Sequence, residues 1–509
     1  MFTKNFLSRV FLKNSSLNKI KIRSLQTKSI RNLLDLDLSK NNDLLAKPVK
    51  VVGWVKSLRD HKEIKFMHIN DGSDSRNLQL VFLKQNYSAN LDKYEKLFDS
   101  LHFNASIEVT GVLAKSTHKK QNLELQVTDL NIISSCEPEG YPFQYKKAYT
   151  LEQLRHHTHL RTHVDLFASV MRFRSELTMN IHQFFHSQNF YQIHTPILSS
   201  NNCEGGCETF QVVCNDKDKS LDINQKDLRE KLTKMNGEAN EQLLSQSSNL
   251  KHFFLKPVYL TASAQLHLET MTSTLAKVYT LSPTFRAEKS LTRHHLAEFY
   301  MLEAEMIDMN NLDQLLDFVE VMVRELTLNV YNKFSKYDLE LIMASTTTDK
   351  TNKNKSNEAL GYVDKIKESL SKNFIRITYK DAIVILNDLI KSNKKLKLAK
   401  KSIEYGDDLN KEQEKLLVEH FKQTPVFITN YPRSIKPFYM HRNLENPDLV
   451  DNFDLLAPNV GEIIGGSLRE HRIDLLGDAI KEQNLDLDLF KGYLETKKYG
   501  SMKMGGRKA

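Results

Sequence analysis

The stretch Val278–Met306, VYTLSPTFRAEKSLTRHHLAEFYMLEAEM, decides how this chain is read. Its side chains alternate. Tyr279, Leu281, Phe285 and Ala287 fall on one side, and Thr280, Ser282, Thr284, Arg286 and Glu288 on the other. A period of two predicts a strand with one face in a core and a polar face left open. The loop Lys289–His295 carries Arg293, His294 and His295, and the return strand brings Phe299, Glu303 and Glu305 back beside the polar face. A guanidinium, carboxylates and an aromatic ring on one sheet suit a nucleotide: arginine clamps phosphate, the ring stacks on a base, and carboxylates take amines or metal. An amphipathic hairpin carrying surface salt bridges explains the same spacing.

Outward from this hairpin, the chain of 509 residues has room for roughly two or three domains. No apolar run approaches the ~18 residues that span a bilayer, so no membrane association is expected. Of the four cysteines, Cys203 and Cys207 have a spacing that suggests a metal, but no second pair follows; free thiols in a reducing compartment are the reading adopted. Residues 1–34 hold eight Lys and Arg and no acid, with Phe2, Phe6, Leu7, Val10 and Phe11 on a helical stripe. That is the composition of a mitochondrial transit peptide, a basic RNA-binding arm being the alternative. Removing those eight charges takes the formal +9 to +1, so net charge is poor evidence for nucleic-acid binding.

Five short β-rich runs, 48–55, 65–70, 78–83, 106–113 and 123–129, predict a small closed barrel of the oligonucleotide-binding type over about 45–135. Arg59, Phe66 and Gln79 are candidate base contacts, each of which also reads as ordinary core or surface. Residues 136–150, with Pro138, Gly140 and Pro142, read as a linker to a domain at 151–509. There, 164–188 has helical periodicity and is followed by a strand Tyr191–Ile197; the pair forms either a dimer interface or internal packing. Polar segments 215–249 and 345–372 read as surface insertions with little buried area. Amphipathic helices are expected at 312–330 and 379–392. In FDLLAPNVGEIIGGSLREHR, 453–472, Asp454 and Glu462 could hold magnesium beside a triphosphate, and Gly465-Gly466 admits close approach of a ligand.

PTFRAE with HLAEF and MLEAE resembles motif 2 of the class II aminoacyl-tRNA synthetases, and the helix and strand ending at Pro196 resemble motif 1. With the N-terminal barrel, the resemblance is to the aspartyl, asparaginyl and lysyl subclass. YLTASAQL, NYPRSIKPFYM and LLAPNVGEIIGGSLRE are similar to its asparaginyl branch. Aspartyl members carry Ser-Pro-Gln and a lysine where this chain has Ser263-Ala264-Gln265 and Leu268. The resemblance covers about 48–500 outside the insertions. It implies an α+β fold, the barrel followed by an antiparallel sheet flanked by helices, and a homodimer that joins asparagine to tRNA(Asn) with ATP and Mg2+.

By residue, the resemblance implies that Arg286 holds the α-phosphate, Glu288 takes the adenine amine, Phe299 stacks on the ring and His295 sits near the outer phosphates. Glu204 and Gln265 bind the ammonium group, and Arg469 with Glu303 reads the side-chain amide. Asp454 and Glu462 coordinate magnesium, and Arg59, Phe66 and Gln79 hold anticodon bases. A carboxylate substrate would face Glu303 with like charge. Two departures stand out. His294 takes the place of the usual Arg before the loop His. After Gly500 the chain reads SMKMGGRKA, without the Gly-x-Gly-x-Gly-x-x-Arg strand and helix of motif 3. A strand missing from mid-sheet is expected to leave its neighbours unpaired; a truncated product or lost adenylation would follow. The rival functions are an aspartyl- or dual-specific ligase and a tRNA-binding protein without catalysis.

Overall fold

The computed structural model describes residues 28–36, 47–61, 63–85, 91–116, 122–144, 147, 149–200, 208–213, 254, 256–289, 296–346, 355–392 and 402–509. Glu204, His295 and all of the first polar segment lie outside them. Two compact units emerge, 1–178 with 332–362, and 179–331 with 363–509.

The first unit holds the barrel. Strands β1 (Pro48–Asp60), β2 (Ile64–Asn70), β3 (Leu78–Leu83), β4 (Ser106–Lys115) and β5 (Leu123–Ser134) close in the order β1-β2-β3-β5-β4. Alternation supplies the core: Val51, Met67, Ile69, Leu80, Ile107, Val109, Leu125 and Val127 point inward. A short helix, Ile30–Leu34, packs Ile30 and Leu33 into that core, and the backbone N–H of Ile30 donates to Asp71 at 2.8 Å. This helix overlaps the end of the segment expected to be a presequence. Two fully buried aliphatic side chains are worth roughly 1.5–3 kcal/mol each to the barrel, so residues 30–34 belong to the folded domain. Residues 151–178 and 332–362 also group with this unit by their contacts. Here Arg172 pairs with the buried Asp338 at 2.6 Å.

The second unit is built on a sheet of eight strands. They are β6 (Tyr191–Gln192), β9 (Lys277–Phe285), β10 (Glu298–Ile307), β11 (Ile375–Thr378), β12 (Val426–Thr429), β13 (Asn452–Ala457), β14 (Gly461–Leu468) and β15 (Met504–Lys508). Their order is β11-β12-β13-β14-β15-β10-β9-β6. All central pairs are antiparallel; β11–β12 and β6–β9 at the edges are parallel. A separate pair joins β7 (Leu198–Ser199) to β8 (Tyr259–Leu260). The expected strand Tyr191–Ile197 is therefore cut to two residues, with Pro196 between it and β7.

The strand expected to be missing is present. β15 pairs with β14 on one side and β10 on the other, and Ala509 exchanges two 2.8 Å hydrogen bonds with Leu302. Arg507 does not take the nucleotide-facing role of a motif 3 arginine. Its register partners are Gly466 and Ala304, and its guanidinium lies on the opposite face, 5.2 and 5.1 Å from the ring centres of Phe185 and Phe318. Those rings belong to helices Asp165–Ser187 and Leu312–Lys333, which cover that face together with Tyr279, stacked on Phe185 at 4.4 Å. The second polar segment buries more than expected. Lys355–Ser371 is a helix with Val363 and Leu370 buried, because apolar residues recur on one side of it.

Candidate active site

The register of the sheet builds one polar row on the face opposite Arg507. Asp454 stands beside Gly465, Gly465 beside Lys508, Lys508 beside Glu303, and Glu303 beside Thr280. The adjacent row runs Asn452, Ser467, Gly506, Glu305 and Val278. At about 4.8 Å per strand the first row spans some 14 Å from Asp454 to Glu303, a length that suits an aminoacyl nucleotide lying across the strands.

At one end, the Asp454 and Glu462 carboxylates converge over Gly465, their nearest oxygens 3.5 and 3.4 Å from where a Cβ would stand. The charge of Asp454, followed by burial, pushes the Glu462 carboxyl up to about 7. Lys436 donates to Asp454 at 2.7 Å, and the Glu414 carboxylate accepts from the backbone N–H of Glu462 at 2.9 Å. Two oxygen donors on adjacent strands are the chemistry a hard divalent cation takes. Lys436 and Glu414 carried no sequence signal, because their distance in the chain hides their place beside this pair.

Arg286 lies just beyond β9, its guanidinium 5.6 Å from the Phe299 ring centre and its backbone N–H on the carbonyl of Ala297. The structure thus brings Arg286 and Phe299 together; Glu288 lies two residues on and is exposed.

At the other end of the row a second group of charges is buried. Arg469 is 3% exposed and donates to Glu305 at 2.5 and 3.1 Å. Ser467 Oγ accepts from the same guanidinium at 2.7 Å, and Glu269 lies 3.5 Å away. The physical reason is Gly506. A Cβ there would fall 2.0–2.1 Å from the Glu305 carboxyl atoms, so the missing side chain is what lets Glu305 lie over β15 and reach Arg469. Glu303 is turned the other way, accepting from Ser263 Oγ at 2.5 Å and the backbone N–H of Ala264 at 2.8 Å. Gln265, expected at the ammonium group, instead donates to Glu269 at 2.9 Å. Glu269 also accepts from Tyr493 at 2.7 Å and Lys497 at 2.8 Å. Burial acts to raise the Glu269 pKa, but Lys497 and Arg469 hold it below the ordinary range. Burial dominates at Glu305 and lifts it to about 7 despite Arg469. The result is a guanidinium fixed in direction by buried acids.

In the barrel, the three candidate base contacts fall on one outer surface. Arg59 stands opposite Phe66, Ser57 opposite His68, His68 opposite Gln79, and Gln79 opposite Glu124. Gln79 donates to Glu124 at 3.2 Å, and the His68 Nδ1 lies 2.7 Å from Ser57 Oγ. Burial and then the charge of Arg59 lower the His68 pKa, which keeps the ring neutral. His68 and Glu124 were not singled out in the sequence, although each follows from the period of two once the pairing is known.

The family pattern of the tRNA synthetases class II (D, K and N) matches residues 151–225 and 231–508. The chain belongs to this family. Residues 49–133 match the OB-fold nucleic acid binding domain. Among relatives of this class II chain, human asparaginyl-tRNA synthetase is 36% identical over 459 residues, 90% of this chain and 84% of the human protein. A probable mitochondrial asparagine–tRNA ligase of Dictyostelium discoideum is 37% identical over 481 residues, 92% and 89% of the two chains. Asparaginyl-tRNA synthetase from Pyrococcus horikoshii, solved with asparaginyl-adenylate, superposes with a TM-score of 0.71 at 27% identity, covering 92% of this chain and 90% of that one. No helix among the described residues is long and apolar enough to cross a membrane.

Proposed function

We propose that this chain ligates asparagine to tRNA(Asn) in two steps, an asparaginyl-adenylate and then transfer to the terminal ribose. The observation that carries the reading is the buried Arg469, fixed by Glu305, Ser467 and Glu269 on the sheet face that also bears Glu303 and the Asp454–Glu462 pair. A guanidinium held this way donates to the amide oxygen of asparagine. Glu303, on the same polar row, disfavours an aspartate carboxylate by like charge. Arg286 holds the α-phosphate and carboxylate as charge develops, and Phe299 packs on adenine. Asp454 and Glu462 would hold a magnesium ion, which supplies positive charge against the triphosphate. No protein nucleophile is needed, since positioning and electrostatics suffice.

The surface formed by Arg59, Phe66 and Gln79, with Glu124, takes the anticodon bases. Exposed Met179, Tyr191, Ile197 and Leu198 support a homodimer built on the motif 1 segment. The basic, acid-free leader and the mitochondrial Dictyostelium relative support action in the mitochondrion. A second reading, tRNA binding without adenylation, draws on one observation: Arg507 faces away from the polar row. ATP–pyrophosphate exchange decides among the readings. Exchange driven by asparagine and not aspartate supports the proposal. Equal response to aspartate removes the role of Glu303, and tRNA binding without any exchange favours the second reading.

A further inference from the structure

Outside the polar row, a second group of ligating side chains stands at the end of β14. The segment Tyr439–Arg442 runs against Leu468–Arg472: His441 N–H donates to the Leu468 carbonyl and Glu470 N–H to the Tyr439 carbonyl, both at 2.9 Å. This places His441 beside Glu470 and His471, and the donor atoms of the three lie within 4.8 Å of one another. The two imidazoles are parallel to within 2°, their centroids 5.7 Å apart.

Each residue is prepared for a ligand. Asp451 Oδ2 lies 2.7 Å from Nδ1 of His441. A carboxylate there accepts a hydrogen bond from the Nδ1–H tautomer, which keeps Nε2 as the ligating nitrogen, the arrangement that orients histidine ligands in metal sites. Nδ1 of His471 is buried and has no hydrogen-bond partner among the described residues. The Glu470 carboxylate is 1% exposed as a residue and is aimed by Arg472 at 2.7 Å and by the backbone N–H of Arg442 at 3.1 Å. A cleft of about 440 Å³ lined by Met440, Arg442 and Glu470 opens beside it, which supplies an entry path.

We propose that His441, Glu470 and His471 bind a divalent transition-metal ion, with Asp451 orienting His441. Two imidazoles and one carboxylate match zinc with an open fourth position better than magnesium, which prefers oxygen alone. Zinc bonds of about 2.0–2.1 Å put tetrahedral ligands roughly 3.3 Å apart, so the cluster contracts by at most about 1.5 Å on binding. The ion competes with Arg472 for Glu470, and Arg442 adds positive charge nearby, so the affinity is moderate. Because Arg469 lies inside the clipped segment, occupancy also stiffens the residue assigned to the asparagine amide.

The test is titration of the full, chelator-treated and thiol-blocked chain with Co2+ alone in excess Mg2+, read by visible absorption. One equivalent giving a tetrahedral or five-coordinate band is expected. H441A and H471A each abolish it, Asp451→Asn weakens binding ~10–100-fold, and Asp454→Asn leaves it intact. Arg472→Gln, which keeps both histidines and unlocks Glu470, tightens binding. Absence of a band in the wild-type chain overturns the proposal, as does a band that survives in the H441A/H471A double variant or no gain with R472Q.

Discussion

Replacing Gly506 by alanine tests the geometry around Arg469 with a single methyl group. In an unconstrained strand this change is small or favourable, since glycine costs strands conformational entropy. Here the new Cβ would lie 2.0 Å from the Glu305 carboxyl carbon and 2.0 and 2.1 Å from its oxygens, so the whole carboxylate must leave. Arg469 then loses both hydrogen bonds to Glu305 while staying buried against Ser467 and Glu269. Breaking a buried pair from one side costs about 3–5 kcal/mol. If even 3 kcal/mol of that appears in the transition state, kcat/KM for asparagine falls about 100-fold or more. The assay is asparagine-dependent ATP–pyrophosphate exchange, run beside a thermal melt. Gly477→Ala is the control: it sits in helix Ile473–Glu482 with nothing within 4 Å of its Cβ position, and it should stabilise by roughly 0.8–1 kcal/mol. Wild-type kinetics and an unshifted melting temperature for G506A would refute the reasoning, because Glu305 could then not be where the fold places it.

Three further outcomes follow from the same structure. Glu462 is raised to about 7, chiefly by the charge of Asp454; a carboxyl raised on folding stabilises the fold below its ordinary pKa and loses that contribution as pH climbs towards 7, whereas cation binding needs the ionised form. The Mg2+ concentration for half-maximal exchange should therefore rise as pH falls through about 7, and Asp454→Asn should shift that dependence towards the ordinary carboxylate range, as a Mg2+ titration at several pH values will show. Arg507 is buried without a hydrogen-bond partner among the described residues, and burial pushes its guanidinium down to about 9. Its penalty is complete at neutral pH and is relieved as pH rises above about 9, so Arg507→Leu should raise the melting temperature at pH 7.5, equivalent to a few kcal/mol, and flatten the alkaline rise. Phe66→Ala should weaken tRNA binding by about 1–3 kcal/mol, the worth of one stacked base, while leaving pyrophosphate exchange unchanged; filter binding and exchange separate the two.

Much of this protein was legible before any coordinates. The five barrel strands, the helix 379–392 and the β9–β10 hairpin follow from local periodicity, since a period of two or 3.6 reports which face is buried whatever it packs against. The same period set Glu303 and Glu305 on one face. It could not say which of the two glutamates reaches Arg469, because that depends on Gly506 in a strand some 200 residues later. Nor could it place Lys436 and Glu414 at the Asp454–Glu462 pair, or seat Ile30 and Leu33 inside the barrel. SMKMGGRKA lacks the expected glycine pattern, yet its backbone completes the sheet, since ladder hydrogen bonds are indifferent to side-chain identity. Side-chain identity did matter for Arg507, which the strand's alternation turned towards Phe185 and Phe318. The chain's own order thus determined the elements, their faces and the family chemistry. Which charges meet was decided by strand register and by the space a missing Cβ leaves open, both of which exist only once distant segments have paired.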